Sequence, residues 1–332
     1  MTRSAAVIVA TYRRPDFVRE CLAHLERQTV APERIIVVDA SPDERTREVV
    51  REYPDVEYRR NDMGAGTLAS SRAIGVQGVT QDVIAFIDDD AYAEPEWLAE
   101  LLAAYDIPGV GAVGGRARNG QPGEESEALQ RIGRFLRNGR LTGNFAADPG
   151  RTVLADHMLG ANMSVRSDVL RSFGGIHDYY PGTCLREDAD IALRARLTGH
   201  LVVYAPAAVV RHVAGDYAQG RRFDLRYRFY GARNHILLLA TTIGCRDRRF
   251  AAYLGSAAIG IPREAVSGLA ALTDAARPSL AAKVRGIGGG LLRAGADLVG
   301  TIAGLAAAVR PIDRARSIPP SVPARPPSDH DD

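Results

Sequence analysis

The chain has 332 residues, with 42 basic against 40 acidic side chains and a formal charge of +2. That near-balance excludes a general nucleic-acid footprint. Cys21, Cys184 and Cys245 are odd in number and far apart, which excludes a disulfide framework or a cysteine zinc site and fits a reducing cytosol. The length suits one large domain, or a domain plus an appendage. The start runs directly into an apolar segment, so no leader is expected. The longest late apolar stretch, Leu298 to Val309, falls short of the ~18 residues that span a bilayer, so no spanning helix is expected.

Ala6 to Ala10 is a continuous apolar run, the pattern of a strand buried on both faces. After Thr11-Tyr12-Arg13-Arg14-Pro15, the residues Val18, Cys21, Leu22 and Leu25 fall on one helical face. Ile35 to Val38 reads as a second buried strand ending in Asp39. Arg45 to Tyr53 reads as a helix, and Val56 to Tyr58 as a short strand. Thr67 to Val76 reads as helical despite Gly75. Val83 to Ile87 reads as a strand, and Trp97 to Tyr105 as a helix. Alternation of strands and helices implies βαβ units and a parallel sheet.

From about Gly114 to Val153 the sequence is weakly periodic and reads as a long, mobile excursion. Order resumes with a helix from Glu187 to Leu197, stopped by Gly199, and a strand from Leu201 to Tyr204. Beyond residue 220, arginines (Arg221, Arg222, Arg226, Arg228, Arg233) interleave with Phe223, Tyr227, Phe229 and Tyr230. Ala/Gly/Leu-rich helical stretches follow up to Val309, and a Pro/Arg/Asp-rich end from Pro311 reads as disordered.

The triplet Asp88-Asp89-Asp90 closes the strand Val83 to Ile87. Adjacent carboxylates repel unless a cation or hydrogen-bond donors face them. The end of a buried strand is where open α/β sheets bind ligands. A hard divalent cation holding a diphosphate would satisfy both conditions. The alternative is a solvated acidic turn capping the next helix. On an extended strand end, Asp88 and Asp90 share a face.

A set of short segments recurs in order over about residues 5–235: Val9 to Arg14, Val37 to Ser41, Ser70-Ser71-Arg72, Phe86 to Asp90, Gly160 to Arg166, Gly174-Gly175, Arg186 to Arg194, and Val210-Arg211-His212. In this order and spacing they resemble the family 2 (GT2) inverting glycosyltransferases. The resemblance implies an α/β fold of the GT-A (Rossmann-like) type: a mixed, mostly parallel sheet flanked by helices, with a C-terminal helical extension. It implies a catalytic domain over 1–220, with a nucleotide-sugar half at about 1–115 and an acceptor half at about 155–220. A helical extension over 221–310 and a disordered tail over 311–332 would follow.

The resemblance also distributes roles. Thr11, Tyr12 and Arg13 would meet the nucleotide, the alternative being an ordinary βα loop. Asp39 would accept the N3–H of a pyrimidine base, or else cap a helix, which favours UDP or dTDP donors. Arg72 would point toward the nucleotide or lie on the surface, and Ala73 follows it where relatives often carry Asn. Asp90 would bind Mn²⁺ or Mg²⁺ with His212, and Asp88 would reach the ribose or a metal-bound water. Asp89 would join the nucleotide side or cap. Asn162 would belong to the sugar-binding floor and Glu187 would help bind donor or acceptor. Asp188 would be the base, because inverting transfer needs one carboxylate to take the acceptor proton. A metal on the leaving diphosphate removes the need for a second acid.

The expected reaction is therefore metal-dependent, inverting transfer of one sugar from a nucleoside diphosphate sugar to a hydroxyl of a glycan, lipid-linked glycan or natural product. Alternatives are a sugar nucleotidyltransferase or a catalytically inactive sugar-nucleotide-binding protein. The first wants a Gly-rich loop that Thr11 to Pro15 does not provide, and the second predicts loss of Asp90 or Asp188. The expected location is cytoplasmic. The late helices could touch the inner membrane face, form a homodimer, or pack on the catalytic domain.

Overall fold

A computed structural model describes residues 3–213, 225–269 and 279–319. A nine-stranded sheet runs in the order β3-β2-β1-β4-β8-β6-β9-β5, with β7 paired to β9. β1 (Ala5–Thr11), α1 (Pro15–Glu26), β2 (Arg34–Asp39), α2 (Arg45–Val50), β3 (Val56–Arg60), α3 (Leu68–Gly75) and β4 (Val83–Asp88) form the parallel half. β5 (Ala91–Ala93), α4 (Trp97–Ala103), β6 (Val110–Arg118), β7 (Val153–Ala155), β8 (Asn162–Arg166), α5 (Ser167–Ser172), α6 (Glu187–Leu197) and β9 (Leu201–His212) form the mixed half. There β8 is antiparallel to both β4 and β6, while β6 and β9 are parallel.

Alternation along β1 splits the core. Val7 and Val9 pack with Val18, Leu22 and Trp97 on one face. Ala6 and Ile8 pack with Ala69, Phe86, Val169 and Ile191 on the other. Each fully buried Leu or Ile contributes about 1.5–3 kcal/mol relative to exposure. Gly75, which weakens the helical pattern of α3, has a packing cause: a Cβ there would lie 2.6 Å from Ile8 Cγ2.

Register then sets the working edge. Thr11 pairs with Asp39, and Ala10 with Asp88, so three strands end together. The short β5 pairs antiparallel with β9, placing Ala91 opposite His212.

The expected mobile excursion is instead packed against the sheet. β6 runs into it, Ile132, Phe145 and Ala147 are buried, and Phe135 pairs with Leu141 across a tight turn. Scattered single apolar residues anchor this segment, which leaves no period to detect in the sequence.

α7 (Leu225–Thr242), α8 (Arg248–Leu269) and α9 (Leu280–Val309) follow. Leu237 and Leu238 share a cluster with Tyr180, Ala189 and Leu193, seating α7 on α6. Four glycines, Gly268 of α8 and Gly290, Gly300 and Gly304 of α9, are contact points within the chain. A Cβ on Gly300 would lie 2.4 Å from Phe229 O, one on Gly304 2.8 Å from Arg233 O, and one on Gly290 2.4 Å from Gly268 Cα.

Two expectations fail at this end. α9 is one 30-residue helix, and its segment Gly286–Val309 (24 residues, mean hydropathy 1.4, 17% buried) is long and apolar enough to cross a membrane by length and composition. The charges Arg293 and Asp297 interrupt the linear pattern, but each is paired within the chain, to Glu264 and Arg228. The expected disordered tail is also partly docked. Asp313 accepts from His177 at 2.8 Å and from the Asp178 N–H at 2.8 Å, and Arg314 pairs with Asp178 at 2.7 Å. Residues 320–332, and Arg221, Arg222 and Phe223 of the arginine–aromatic stretch, lie outside the described residues.

Candidate active site

The aspartate triplet sits where β4 ends and the chain turns into β5, and its members face two ways. Asp89 turns inward to β1. It accepts from the Thr11 hydroxyl at 2.7 Å and from Arg14 Nη1 at 3.1 Å. Burial, opposed mainly by Arg14, pushes its pKa up to about 7. Asp88 and Asp90 face the cleft with His212, and one donor atom from each lies within 4.8 Å of the others. Asp90 Oδ1 meets His212 Nε2 at 3.3 Å, and Asp90 Oδ2 accepts from Arg14 Nη1 at 2.7 Å. Burial works to raise the Asp90 pKa, but His212 and Arg14 outweigh it and hold it below the usual range. Burial works to lower that of His212, but Asp90 and Asp88 outweigh it and raise it. Two carboxylates and one imidazole, converging with a guanidinium already holding one oxygen, form a donor set suited to Mn²⁺ or Mg²⁺.

A second acidic centre lies at the N-terminus of α6. Cys184 and Arg186 adopt positive φ (57° and 86°), a conformation that costs non-glycine residues about 1–3 kcal/mol and clusters at functional sites. The turn delivers Glu187 and Asp188 into the cleft. Asp188 Oδ2 accepts from the Gly160 N–H at 3.1 Å, and Oδ1 from the Ala189 N–H at 2.7 Å. Glu187 is 3% exposed. Its Oε1 is held by Arg72, while its Oε2 has no hydrogen-bond partner. Burial raises its pKa to about 8 despite Arg72, with the charges of Asp188 and Asp88 adding to the rise.

Arg72 joins the two centres. Buried under α3, it donates to Glu187, to Asp88 Oδ1 at 3.0 Å and to Gly160 O at 2.8 Å. Gly160 is the residue this arrangement tolerates, since a Cβ there would lie 3.0 Å from Arg72 Nη2 and 3.1 Å from Glu187 Oε1. Both acidic centres line one cleft of about 840 Å³, together with Tyr12, Arg14, His157, Arg186, His212 and Tyr227.

Comparison with known proteins bears on this cleft directly. The pattern of "Glycosyl transferase family 2" matches residues 6–170. A glucosyl-dolichyl phosphate glucuronosyltransferase of Haloferax volcanii is 30% identical over 226 residues, covering 64% of this chain and 70% of that protein. The chain belongs to glycosyl transferase family 2. A validoxylamine A glucosyltransferase of Streptomyces hygroscopicus is similar over a shorter segment, 34% identical across 31% of this chain and 24% of the relative. Among solved structures, a mannosyltransferase from Pyrobaculum calidifontis, in complex with GDP-Man and Mn²⁺, superposes with a TM-score of 0.61. That match is 18% identical, covers 92% of this chain and 88% of that one, and shows the shared GT-A fold.

In this glycosyltransferase the structure brings Tyr12, Arg72, Asp88, Asp90, Glu187, Asp188 and His212 to one cleft, and it moves others out of it. Asn162 is a correction. It is 0% exposed, accepts from Trp97 Nε1 at 2.8 Å and donates to Arg116 O at 3.0 Å and Ala208 O at 2.9 Å. It ties β8 to its neighbours and does not line the cleft. Asp39 is also closed off: Ser41 N–H donates to one oxygen at 2.8 Å and the Tyr58 hydroxyl to the other at 3.0 Å. Thr11 lines the cleft, but its hydroxyl is committed to Asp89. Arg13 is exposed, with positive φ (58°), and contributes its backbone N–H to Ser41 Oγ at 2.7 Å. Arg72 is the reverse of a surface arginine, a buried link between two acids. Arg14, whose guanidinium donates to Asp89 and Asp90, was not among the expected site residues. Its only signal is its place beside Arg13, and the folded loop between β1 and α1 shows which of the two reaches the aspartates.

Proposed function

We propose that the protein catalyses metal-dependent, inverting transfer of one sugar from a nucleoside diphosphate sugar to an acceptor hydroxyl. One observation carries this reading. The cleft holds two separate acidic centres, Asp88/Asp90/His212 and Asp188, linked through Arg72 and Glu187. One centre suits a diphosphate and its cation, and the other suits a proton.

Asp90 and His212 would hold the metal, with Asp88 beside them. When bound, the metal supplies charge stabilisation to the leaving diphosphate. Asp188, positioned by the Gly160 and Ala189 N–H groups, takes the proton of the acceptor hydroxyl. The acceptor oxygen forms its bond to the anomeric carbon as the bond from that carbon to the diphosphate oxygen breaks. The electron pair leaves with the diphosphate, and a single displacement inverts the centre. Glu187 Oε2, buried and unpartnered, offers a contact to a sugar hydroxyl. Tyr12 lies where the nucleotide would enter. The preference for UDP or dTDP rested on Asp39, whose oxygens are engaged by Ser41 and Tyr58, so a donor panel decides the base.

The same reading gives the C-terminal helices a surface. Leu291, Leu292, Leu298, Val299, Ile302 and Val309 are exposed along α9, and we place that face against a membrane from the cytoplasmic side.

The test is release of nucleoside diphosphate from UDP-, dTDP- and GDP-sugars with Mn²⁺, with and without EDTA. Release that EDTA abolishes is expected. Absence of release from every donor, or release indifferent to EDTA, overturns the reading.

A further inference from the structure

A second cavity of about 350 Å³ opens beyond the catalytic cleft. Leu141, Leu185, Arg186 and Tyr227 line both, so the two spaces meet at the strained turn that carries Asp188. The outer walls come from α7, α8 and α9, and the floor from the turn between Phe135 and Leu141. That turn is seated firmly: a Cβ on Gly139 would lie 2.4 Å from Arg249 O and 2.8 Å from Tyr253 Cβ.

The polar groups of this cavity are incompletely used. His235 is 1% exposed and its Nε2 meets Gly139 O at 2.7 Å. A carbonyl only accepts, so the proton sits on Nε2, and Nδ1 is a bare acceptor with no partner. Burial first, then Arg186, with smaller pushes from His157 and Arg140 and the Gly139 carbonyl opposing, bring the His235 pKa down to about 3, which keeps the ring neutral. Arg186 Nε is likewise buried and without a partner. Arg228 is matched by Asp297 on the same wall. Arg140 and Arg186 have no carboxylate partner among the described residues, which leaves the cavity cationic. Tyr253 stands against His235, ring centroids 4.3 Å apart, and gives the space one aromatic wall.

We propose that this cavity is a distal acceptor subsite for a sugar unit bearing an anionic group, with the anion on Arg140 and Arg186 and a ring hydroxyl donated to His235 Nδ1. The assignment rests on the transfer reading for its orientation, since an acceptor seated here would reach Asp188 past Arg186. A bare acceptor nitrogen beside two unmatched guanidinium groups selects a ligand that supplies both an O–H and a negative charge. A phosphate on the sugar and a uronic carboxylate share that chemistry.

The test is calorimetric titration of the full chain with four probes: glucose 1-phosphate, glucuronic acid, glucose and inorganic phosphate. At least one anionic sugar is expected to bind, with glucose and phosphate each about tenfold weaker or more. Comparison of the two anionic probes distinguishes a phosphate-linked acceptor from a uronate. Arg140→Ala, at an exposed position where folding is not at stake, should weaken binding about tenfold. Ala257→Trp, which fills the cavity from α8, should abolish it. Donor hydrolysis without acceptor should be unchanged in both variants. No binding of either anionic sugar, equal binding of glucose or of phosphate alone, or binding that survives both substitutions overturns the subsite. Absent nucleoside diphosphate release from the wild type would instead sink the transfer reading, and binding here would still be measured.

Discussion

The sheet edge and the C-terminal helices were built by different rules. At the sheet edge, backbone register places Thr11, Asp39 and Asp88 together, and a three-residue strand brings His212 beside Asp90. Function there depends on charge and needs little space. In α7, α8 and α9, contact depends on the absence of side chains, with Gly290, Gly300 and Gly304 letting backbones meet. The two regions should therefore fail differently when altered: the first in catalysis with the fold intact, the second in the fold.

The largest expected effect is at Asp188. Asp188→Asn should lower kcat by about 10²- to 10⁴-fold while donor affinity, read by calorimetry, changes little. Near-normal turnover would remove the base assignment. Next, Asp90→Asn should raise the Mn²⁺ concentration needed for half-maximal activity by at least about tenfold, seen in a metal titration. An unchanged metal requirement would mean the cation is held elsewhere. On the other side of the comparison, Gly304→Val should destabilise by about 1–3 kcal/mol through overpacking against Arg233. A thermal melt reads this, and unchanged stability would show that α9 can move away freely.

A smaller effect concerns Glu187. Its folded pKa of about 8 lies above the ordinary 4.5, so the folded form binds the extra proton between those values. The resulting stability is fully present below about pH 4.5 and lost as pH rises toward 8. With EDTA present, wild-type melting temperature should fall relative to Glu187→Gln across that window; parallel curves would show that Glu187 is already ionised. The smallest effect is at the outer face of α9. Ile302→Glu should reduce flotation with anionic vesicles while leaving donor hydrolysis untouched, and full flotation would place the contact elsewhere.

Much of the sheet edge was legible in the chain. Buried parallel strands read as apolar runs, and their C-terminal residues follow directly, so Asp88 and Asp90 stand out at the end of β4, whereas Asp188, in the first turn of α6, and His212 were reached through the resemblance to the family. Direction within the edge was harder to read. Asp39 and Asn162 sit at expected positions, yet their atoms are engaged by Ser41 close by and by Tyr58, Trp97 and two backbone carbonyls, the latter partners 19 to 65 residues away that no local pattern encodes. Arg14 was hidden for the same reason. The helices were least legible, because a glycine that permits a close approach looks like a glycine that weakens a helix. The docking of Asp313 and Arg314 was masked by a composition typical of disorder, since one aspartate and one arginine suffice to hold it.

That docking has a consequence for how the protein is made. Arg314 donates to Gly66 O at 3.1 Å and to Asp178 at 2.7 Å, and Asp178 in turn accepts from Ser70 on α3. The helix that presents Arg72 to both acidic centres is thus clasped by a residue near the far end of the chain. At roughly 5–20 residues per second of synthesis, that clasp becomes available only some 10 to 50 s, roughly, after Arg72 itself is made. For the last part of that interval, once Asp188 has been added, a nascent chain carries every acidic group of the cleft without the last fastening of the arginine between them.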